Sequence, residues 1–293
     1  MKILQLNCQS LNTSKNLLRN YVERHNIDVL CLSETWQKED KMLFKNWTCI
    51  QRKAPDTYGG VAIIIRPGIK VVRVSDHENN INEFVWANVY LNNKVTLIGS
   101  LYIRPGKLSH LTYLWNTLGK IKSTSAVLLC GHLNARSLMW EYSSTTAGKS
   151  TSWKMGEILE EMTINLGLKL HNNGRFTYVG TQVRNANNNY EVKSAVDITL
   201  SKNLTNPVSW FVDDISVLKS DHLPVIINIA EISKPLKKRK WDLENSDWAA
   251  WQTSIIERLE PIYEQLQSRS CEETVSDIEE TSIQQQSILL RLK

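Results

Sequence analysis

Apolar residues recur along the chain with two different periods, and the alternation between them predicts a mixed succession of strands and helices. Lys2–Gln9 sets Ile3 and Leu4 among polar neighbours as a strand would. Asn12–Asn26 then carries Leu17, Leu18, Tyr21 and Val22 at helical spacing, and Ile27–Ser33 returns to a short apolar run that stops at Glu34-Thr35-Trp36. Further strands are expected at Gly60–Arg66, Val71–Val74, Phe84–Leu91 and Val95–Ile103, with Asn92-Asn93 as a hairpin turn between the last two. Leu108–Ile121 reads as a helix, and Ala126–Cys130 as a buried strand ending at Gly131. Ser143–Ser152, rich in Ser and Thr, reads as a loop. The helix Trp153–Leu166 after it has Met155, Ile158, Leu159 and Met162 on one face. Thr177–Val179, Ala195–Leu200 and Pro224–Ile229 complete the predicted strands.

Several of these strands adjoin through short turns and not through helical crossovers. That favours an α/β sandwich of mixed sheets flanked by helices over a doubly wound parallel sheet. No repeat of fixed period is present. After Glu231 the pattern changes to a basic stretch, Lys234 to Lys240, followed by an acidic segment with Trp248, Trp251, Ile255 and Leu259 at helical spacing. The expected organisation is a domain over 1–232, a basic linker over 233–241 and an acidic helical tail over 242–293. The Trp248 stripe is read as a helix packing on its own domain.

Length and composition narrow the class. With 293 residues and 42% hydrophobic residues the chain can bury a sizeable core. No apolar run approaches the ~20 residues that span a bilayer, so no membrane partner is expected. The beginning turns polar before a signal-peptide core forms, so secretion is not expected either. Five scattered cysteines without a CxxC pair read as reduced residues of an intracellular protein, with no zinc site among them. Charge informs only when divided. The segment 242–293 holds eleven acidic and four basic residues, which leaves 31 basic and 19 acidic residues before it, a net of +12. A basic body of that size suits a polyanion such as nucleic acid, or it is a solvated surface that keeps the chain soluble. The Lys237–Lys240 run reads equally as an import signal, a DNA-touching arm or a linker.

Candidate chemistry collects where the apolar strands stop. Asn7, Glu34, Tyr102, His132, Asn134, Asp197 and the run Ser220-Asp221-His222 all lie at such ends or beside them. One edge of an α/β fold is where side chains from several strands can converge. Glu34, with Asn7 or Asp221, offers the oxygen donors that Mg²⁺ takes while keeping waters. His222 can meet a phosphate oxygen, Asn7 and Asn134 can orient water or phosphate, and Tyr102 can donate a hydrogen bond. No Walker-type loop, GxSxG elbow, HExxH or GxGxxG is present, which removes the common nucleoside-triphosphatase, hydrolase, zinc-protease and dinucleotide readings.

Taken together, five segments resemble the endonuclease/exonuclease/phosphatase superfamily, and within it the apurinic-type endonuclease domain of non-LTR retrotransposons. They are Ile3-Leu4-Gln5-Leu6-Asn7, Leu30-Cys31-Leu32-Ser33-Glu34-Thr35-Trp36, Leu101-Tyr102-Ile103-Arg104-Pro105, Gly131-His132-Leu133-Asn134-Ala135 and Lys219-Ser220-Asp221-His222-Leu223-Pro224-Val225. Phe176-Thr177 and Ser194 to Thr199 lie between the last two in family order. The likeness spans about residues 1–230 and is specific as a set. It implies a four-layered α/β sandwich with a short helical tail, a bound Mg²⁺ or Mn²⁺, and hydrolysis of a DNA phosphodiester. By matching position, Glu34 would hold the metal, with Asn7 and Asp221 close by. Tyr102 and Asn134 would bond the scissile phosphate or its water, Asp197 would support the imidazole, and His222 would stabilise the pentacovalent phosphate. Arg104, Thr177 and Ser220 would add phosphate or DNA contacts. For Thr177 and Ser220, plain strand and turn roles are an equal alternative.

One departure outweighs the matches. The family pattern is Gly-Asp-x-Asn, and here it is Gly131-His132-Leu133-Asn134. An imidazole replaces a carboxylate at a central catalytic position, and general-base help alone is worth about 10²–10⁴ in rate. The expectation is a retrotransposon-type, Mg²⁺-dependent DNA endonuclease with impaired turnover. The alternative is a DNA-binding or scaffold relic of the same fold. Double-stranded DNA is the expected partner, a separate reverse transcriptase a further one, and the nucleus the expected location, with the cytoplasm as the alternative.

Overall fold

In the computed structural model, the residues described are 1–38, 43–54, 56, 58–79, 81–91, 94–141, 150–185, 188–206, 208–214, 219–230 and 247–265. In chain order they form β1 (Lys2–Asn7), α1 (Leu11–His25), β2 (Val29–Ser33), β3 (Thr48–Arg52), β4 (Val61–Ile65), β5 (Val71–Arg73), β6 (Glu83–Leu91) and β7 (Lys94–Tyr102). Then come α2 (Leu108–Lys120), β8 (Ala126–His132), α3 (Thr151–Asn165), β9 (Lys169–Leu170), β10 (Tyr178–Asn185), β11 (Asn188–Ser194), β12 (Asp197–Lys202), β13 (Val208–Val212), β14 (Val225–Ile229) and α4 (Trp248–Gln265).

Two six-stranded sheets carry the fold, ordered β13-β14-β1-β2-β4-β3 and β5-β6-β7-β8-β12-β9, with β10 and β11 as a separate hairpin. Both are mixed: β1 runs parallel to β2 and β7 parallel to β8, while the neighbouring pairs are antiparallel. The central strands read as continuous apolar runs because both of their faces are covered. Ile3, Val29 and Ile63 point inward against Val85, Ile98 and Leu128 of the other sheet. Their alternate neighbours Leu4, Leu30 and Ile64 point outward onto Leu18 and Val22 of α1. Trp86 and Leu129 likewise meet Leu111 and Leu114 of α2 and Met155 and Leu159 of α3. The layers are therefore helix, sheet, sheet and helices, as the sequence led us to expect.

Between the sheets one polar side chain breaks the apolar packing. Gln5 is buried, and its Nε2 donates to the carbonyls of Gly131 at 3.3 Å and Ile198 at 3.2 Å in the opposite sheet. Its Oε1 accepts from Thr199 Oγ1 at 2.6 Å, which in turn accepts from Trp210 Nε1 at 2.9 Å. Every polar atom of that amide group has a partner, so its burial adds alignment between the sheets without an unsatisfied group.

The chain divides into two compact units, Met1–Ile232 and Ser233–Lys293. Helix α4 is the described part of the second; its Trp248 and Trp251 rings meet edge to face at 5.7 Å. The expected turn at Asn92-Asn93, most of the Ser/Thr-rich loop and the basic linker lie outside the described residues. Among the described residues no helix is long and apolar enough to cross a membrane. Of the described cysteines, Cys8, Cys31 and Cys130 are buried.

Candidate active site

Each sheet delivers its own group of polar side chains to one end of the sandwich. In the first, β1 ends on Asn7, in register with Ser33 of β2, and the chain then leaves β2 directly into Glu34. The backbone there is strained. Gln9, Ser10, Glu34 and Trp36 all have positive φ, at 39°, 88°, 51° and 50°. The other described non-glycine residues with positive φ are asparagines, which tolerate that region. Crossed backbone bonds hold the strained turns: Ser10 N–H to the Glu34 carbonyl at 2.9 Å and Trp36 N–H to the Gly59 carbonyl at 2.8 Å. Strain of this kind, over-determined by its surroundings, gathers at functional sites.

In the second sheet, β8 runs through Gly131 to end on His132, two residues beyond the end its apolar run suggested. His132 is paired with Tyr102 of β7 on one side and Asp197 of β12 on the other. Paired residues of adjacent strands share a face, so Tyr102, His132 and Asp197 form one row. Gly131 makes the row: a Cβ there would stand 2.5 Å from the Leu101 carbonyl oxygen, so only glycine lets the strand ends come this close.

Contacts join the two groups. Asn7 Nδ2 donates to Glu34 Oε1 at 2.7 Å and also meets His132 Nδ1. His132 Nδ1 stands 3.3 Å from the same Glu34 oxygen. That ring nitrogen has two partners it cannot serve at once, since it accepts from the amide only when unprotonated and donates to the carboxylate only when protonated. The His132 and His222 rings lie 4.6 Å apart, and His222 Nδ1 is 2.7 Å from Asp197 Oδ2. The Tyr102 ring is 5.6 Å from that of His132. Asn7, His132, Asp197 and His222 are buried, while Glu34 and Asn134 are half-buried at the rim.

Charge follows the contacts. Burial opposes ionisation of Glu34, but the hydrogen bond and charge of His132, the Asn7 amide and the His222 charge outweigh it and hold the carboxyl down at about 2. Burial pulls His132 towards neutrality; the Glu34 bond, the Asp197 and Glu34 charges and the Asn134 side chain overcome this and raise its pKa. Asp197 is lowered in spite of complete burial, chiefly by the charge and hydrogen bond of His222. Tyr102 is pushed up by burial and by the Glu34 and Glu83 carboxylates, so it is a hydrogen-bond donor.

The remaining sequence candidates divide. Asn134, at φ 50°, donates from Nδ2 to the Ile103 carbonyl at 2.8 Å. Thr177 is buried, with its Oγ1 accepting from the Asp197 N–H at 3.1 Å. Ser220 Oγ donates to the Asn7 carbonyl at 2.7 Å and accepts from the His222 N–H at 3.1 Å, which clamps the last loop onto β1. Asp221 is exposed, and its N–H is tied to Gln9 Oε1 at 3.0 Å. Arg104 lies in an ion-pair cluster: its guanidinium bonds Glu83 at 2.6 Å, both Asp56 oxygens, at 2.8 and 3.0 Å, and the Tyr58 carbonyl at 2.7 Å.

Three neighbours carried no sequence signal for the site. Trp36 donates from Nε1 to Glu34 Oε2 at 3.3 Å; its place two residues after Glu34 was the available hint. Gln9 receives the Asp221 N–H, and Tyr178 lies with its ring 5.0 Å from that of His222.

For a hard divalent cation the residues fit a one-carboxylate site. Glu34 is ionised, its Oε2 accepts a long bond from Trp36, and waters would fill the shell, as Mg²⁺ accepts. The His132 ring against Oε1 is the cation's competitor for that carboxylate.

Comparison with known proteins agrees with this geometry. Residues 96–226 match the profile of the family described as Endonuclease-reverse transcriptase. The structure resembles the endonuclease domain of TRAS1, a telomere-specific non-LTR retrotransposon, at a TM-score of 0.64 and 20% identity, covering 79% of this chain and 99% of that one. It resembles an AP endonuclease from Archaeoglobus fulgidus at 0.60 and 16%, covering 79% and 100%. The 3' phosphatase NExo from Neisseria, bound to a product DNA hairpin, is similar at 0.59 and 19%, again covering 79% and 100%. No curated protein matches by sequence. The fold is the two-sheet α/β sandwich that these structures share. Residues 96–226 match the endonuclease–reverse transcriptase profile, which agrees with the resemblance read from the sequence motifs.

Proposed function

We propose that the chain is a divalent-cation-dependent DNA endonuclease of the retrotransposon type, with turnover slowed by the histidine at position 132. The observation that carries this reading is the chain of contacts Asn7–Glu34–His132–His222–Asp197 at the end of a nuclease fold. Hydrolysis forms a bond from a water oxygen to phosphorus while the bond to the leaving sugar oxygen breaks. Glu34, with Asn7 beside it, would hold the divalent cation, which when bound would supply Lewis-acid charge at the phosphate. Asp197 holds the His222 ring through Nδ1, so the other ring nitrogen is directed to a phosphate oxygen. Tyr102 and Asn134 donate hydrogen bonds to the phosphate or its water. His132 supplies neither the negative charge nor the carboxylate oxygen that would align that water.

The His132–Glu34 contact also supports a second reading, a DNA-binding relic without turnover. Nicking of supercoiled plasmid in Mg²⁺ separates the two. The first expects slow nicking that His132→Asp raises by roughly two orders of magnitude. No activity in either chain leaves the second, and robust nicking unaffected by His132→Ala overturns the role given to this position. In both readings the +12 body binds duplex DNA with weak sequence preference and an affinity that falls steeply with salt. Filter binding that stays flat from low to moderate salt would refute that. Nuclear DNA is the proposed target, and a separate reverse transcriptase the proposed working partner.

A further inference from the structure

His132 does more than remove a carboxylate; it adds a nitrogen donor to a pocket that already holds an imidazole and a buried carboxylate. His132, Asp197 and His222 are 6%, 2% and 2% exposed, and each offers one donor atom such that all three atoms lie within 4.8 Å of one another. Among the described residues, two buried atoms in this group have no hydrogen-bond partner: His132 Nε2 and Asp197 Oδ1. Buried polar atoms without partners are uncommon, and each asks for an explanation. The atoms on the far side of each group are engaged. His132 Nδ1 faces the Glu34 carboxylate, and Asp197 Oδ2 faces His222 Nδ1. This is how metal-binding histidines are oriented elsewhere: one ring nitrogen donates to a carboxylate, which fixes the tautomer and leaves the other nitrogen's lone pair free.

We propose that His132, Asp197 and His222 form a binding site for a borderline divalent cation of the Zn²⁺ or Co²⁺ kind, beside the oxygen-only position at Glu34. Two imidazoles and one carboxylate are a donor set for zinc and its neighbours, whereas magnesium takes oxygen and gains little from nitrogen. With bonds of about 2.0–2.1 Å, no two donors of one ion stand more than about 4.2 Å apart, so binding draws the widest pair together by at most about half an ångström. Small rotations of the two rings supply that, since His132 is the last residue of β8 and His222 lies in the loop before β14. The fourth position is open to water or to a phosphate oxygen. An aspartate at 132 would lack the nitrogen on which this preference rests, so this site is a property of the histidine.

The inference concerns binding alone and holds or fails whether or not the chain nicks DNA. The full chain is stripped with a chelator and titrated with Zn²⁺ against a chromophoric competitor, in a large molar excess of Mg²⁺. Co²⁺ is titrated in parallel and followed by visible absorption. One equivalent of Zn²⁺ is expected to bind in spite of the Mg²⁺, and one equivalent of Co²⁺ to give the intense bands of a low-coordinate nitrogen–oxygen site. His132→Asp and His222→Asn should each weaken Zn²⁺ by roughly a hundredfold or more, since even loss of a ligand's supporting partner costs 10–100-fold. Cys49→Ser, which alters the most accessible described thiol, should leave binding unchanged. Stoichiometric Zn²⁺ binding that survives both histidine substitutions overturns the site, as does displacement of Zn²⁺ by Mg²⁺. Should either variant fail to fold by circular dichroism, the Co²⁺ spectrum of the unaltered chain decides, and its absence is equally fatal.

Discussion

The two sheets bring unlike halves to the same site. The Glu34 half, from the ends of β1 and β2, is half-open and built on four left-handed backbone positions outside asparagine and glycine. The Asp197 half, from the ends of β8 and β12, is fully buried, lies on regular paired strand and keeps its carboxylate–imidazole pair at 2.7 Å. One half is held by loop strain, the other by sheet register. The histidine at 132 falls on the registered half yet acts on the strained one, because the imidazole leans across to Glu34.

The largest test of that division is catalytic. In a His132→Asp background, Glu34→Ala should remove the whole gain of roughly two orders of magnitude in plasmid nicking. Retained nicking would mean that Glu34 does not hold the cation. Stability should respond next, and unequally. Gly131→Ala forces apart β7 and β8 beneath the row and should lower the unfolding free energy by about 1–3 kcal/mol in urea titration. Asp197→Ala removes a buried charged hydrogen bond and should cost about 1.5–3 kcal/mol. Glu34→Gly should cost much less than either, because glycine relieves a positive φ as it deletes the carboxylate. Equal losses at Asp197 and Glu34 would erase the distinction between the halves.

Acid provides the finest probe. Glu34 ionises at about 2 in the fold against an ordinary 4.5, so it contributes stability that is complete above 4.5 and fades as pH falls towards 2. His171, far along the second sheet and held near 4 by burial and Lys169, works in a higher window. It folds neutral, so stability is full above 6.5 and declines as pH drops to about 4. Urea midpoints across pH should therefore show a first decline absent in His171→Asn and a second absent in Glu34→Gln. A single decline that neither variant alters would contradict both assignments.

Much of this architecture was legible because doubly buried strands announce themselves: Val29–Ser33, Val61–Ile65 and Ala126–His132 are near-continuous apolar runs. Strands β3, β9, β11 and β13 were not. Edge strands such as Thr48–Arg52 and Lys169–Leu170 bury little and leave a weak pattern. Asn188–Ser194 is mostly polar and pairs only with β10. At the site, residues ending apolar runs could be named from the sequence, since position along a strand is local information. What Arg104 bonds is not local. Glu83 and Asp56 reach it from other strands and loops, and no spacing in the chain predicts that. The same holds for Gln5 and for the lean of His132 onto Glu34.

The row Tyr102–His132–Asp197 has a consequence in the currency of codons. Backbone pairing on both sides fixes where the side chain at 132 stands, whatever that side chain is. Histidine and aspartate codons differ only in their first base. A single transversion therefore exchanges nitrogen for oxygen at the centre of the pocket while the scaffold stays put. The two forms of the site are therefore adjacent genotypes, one base apart.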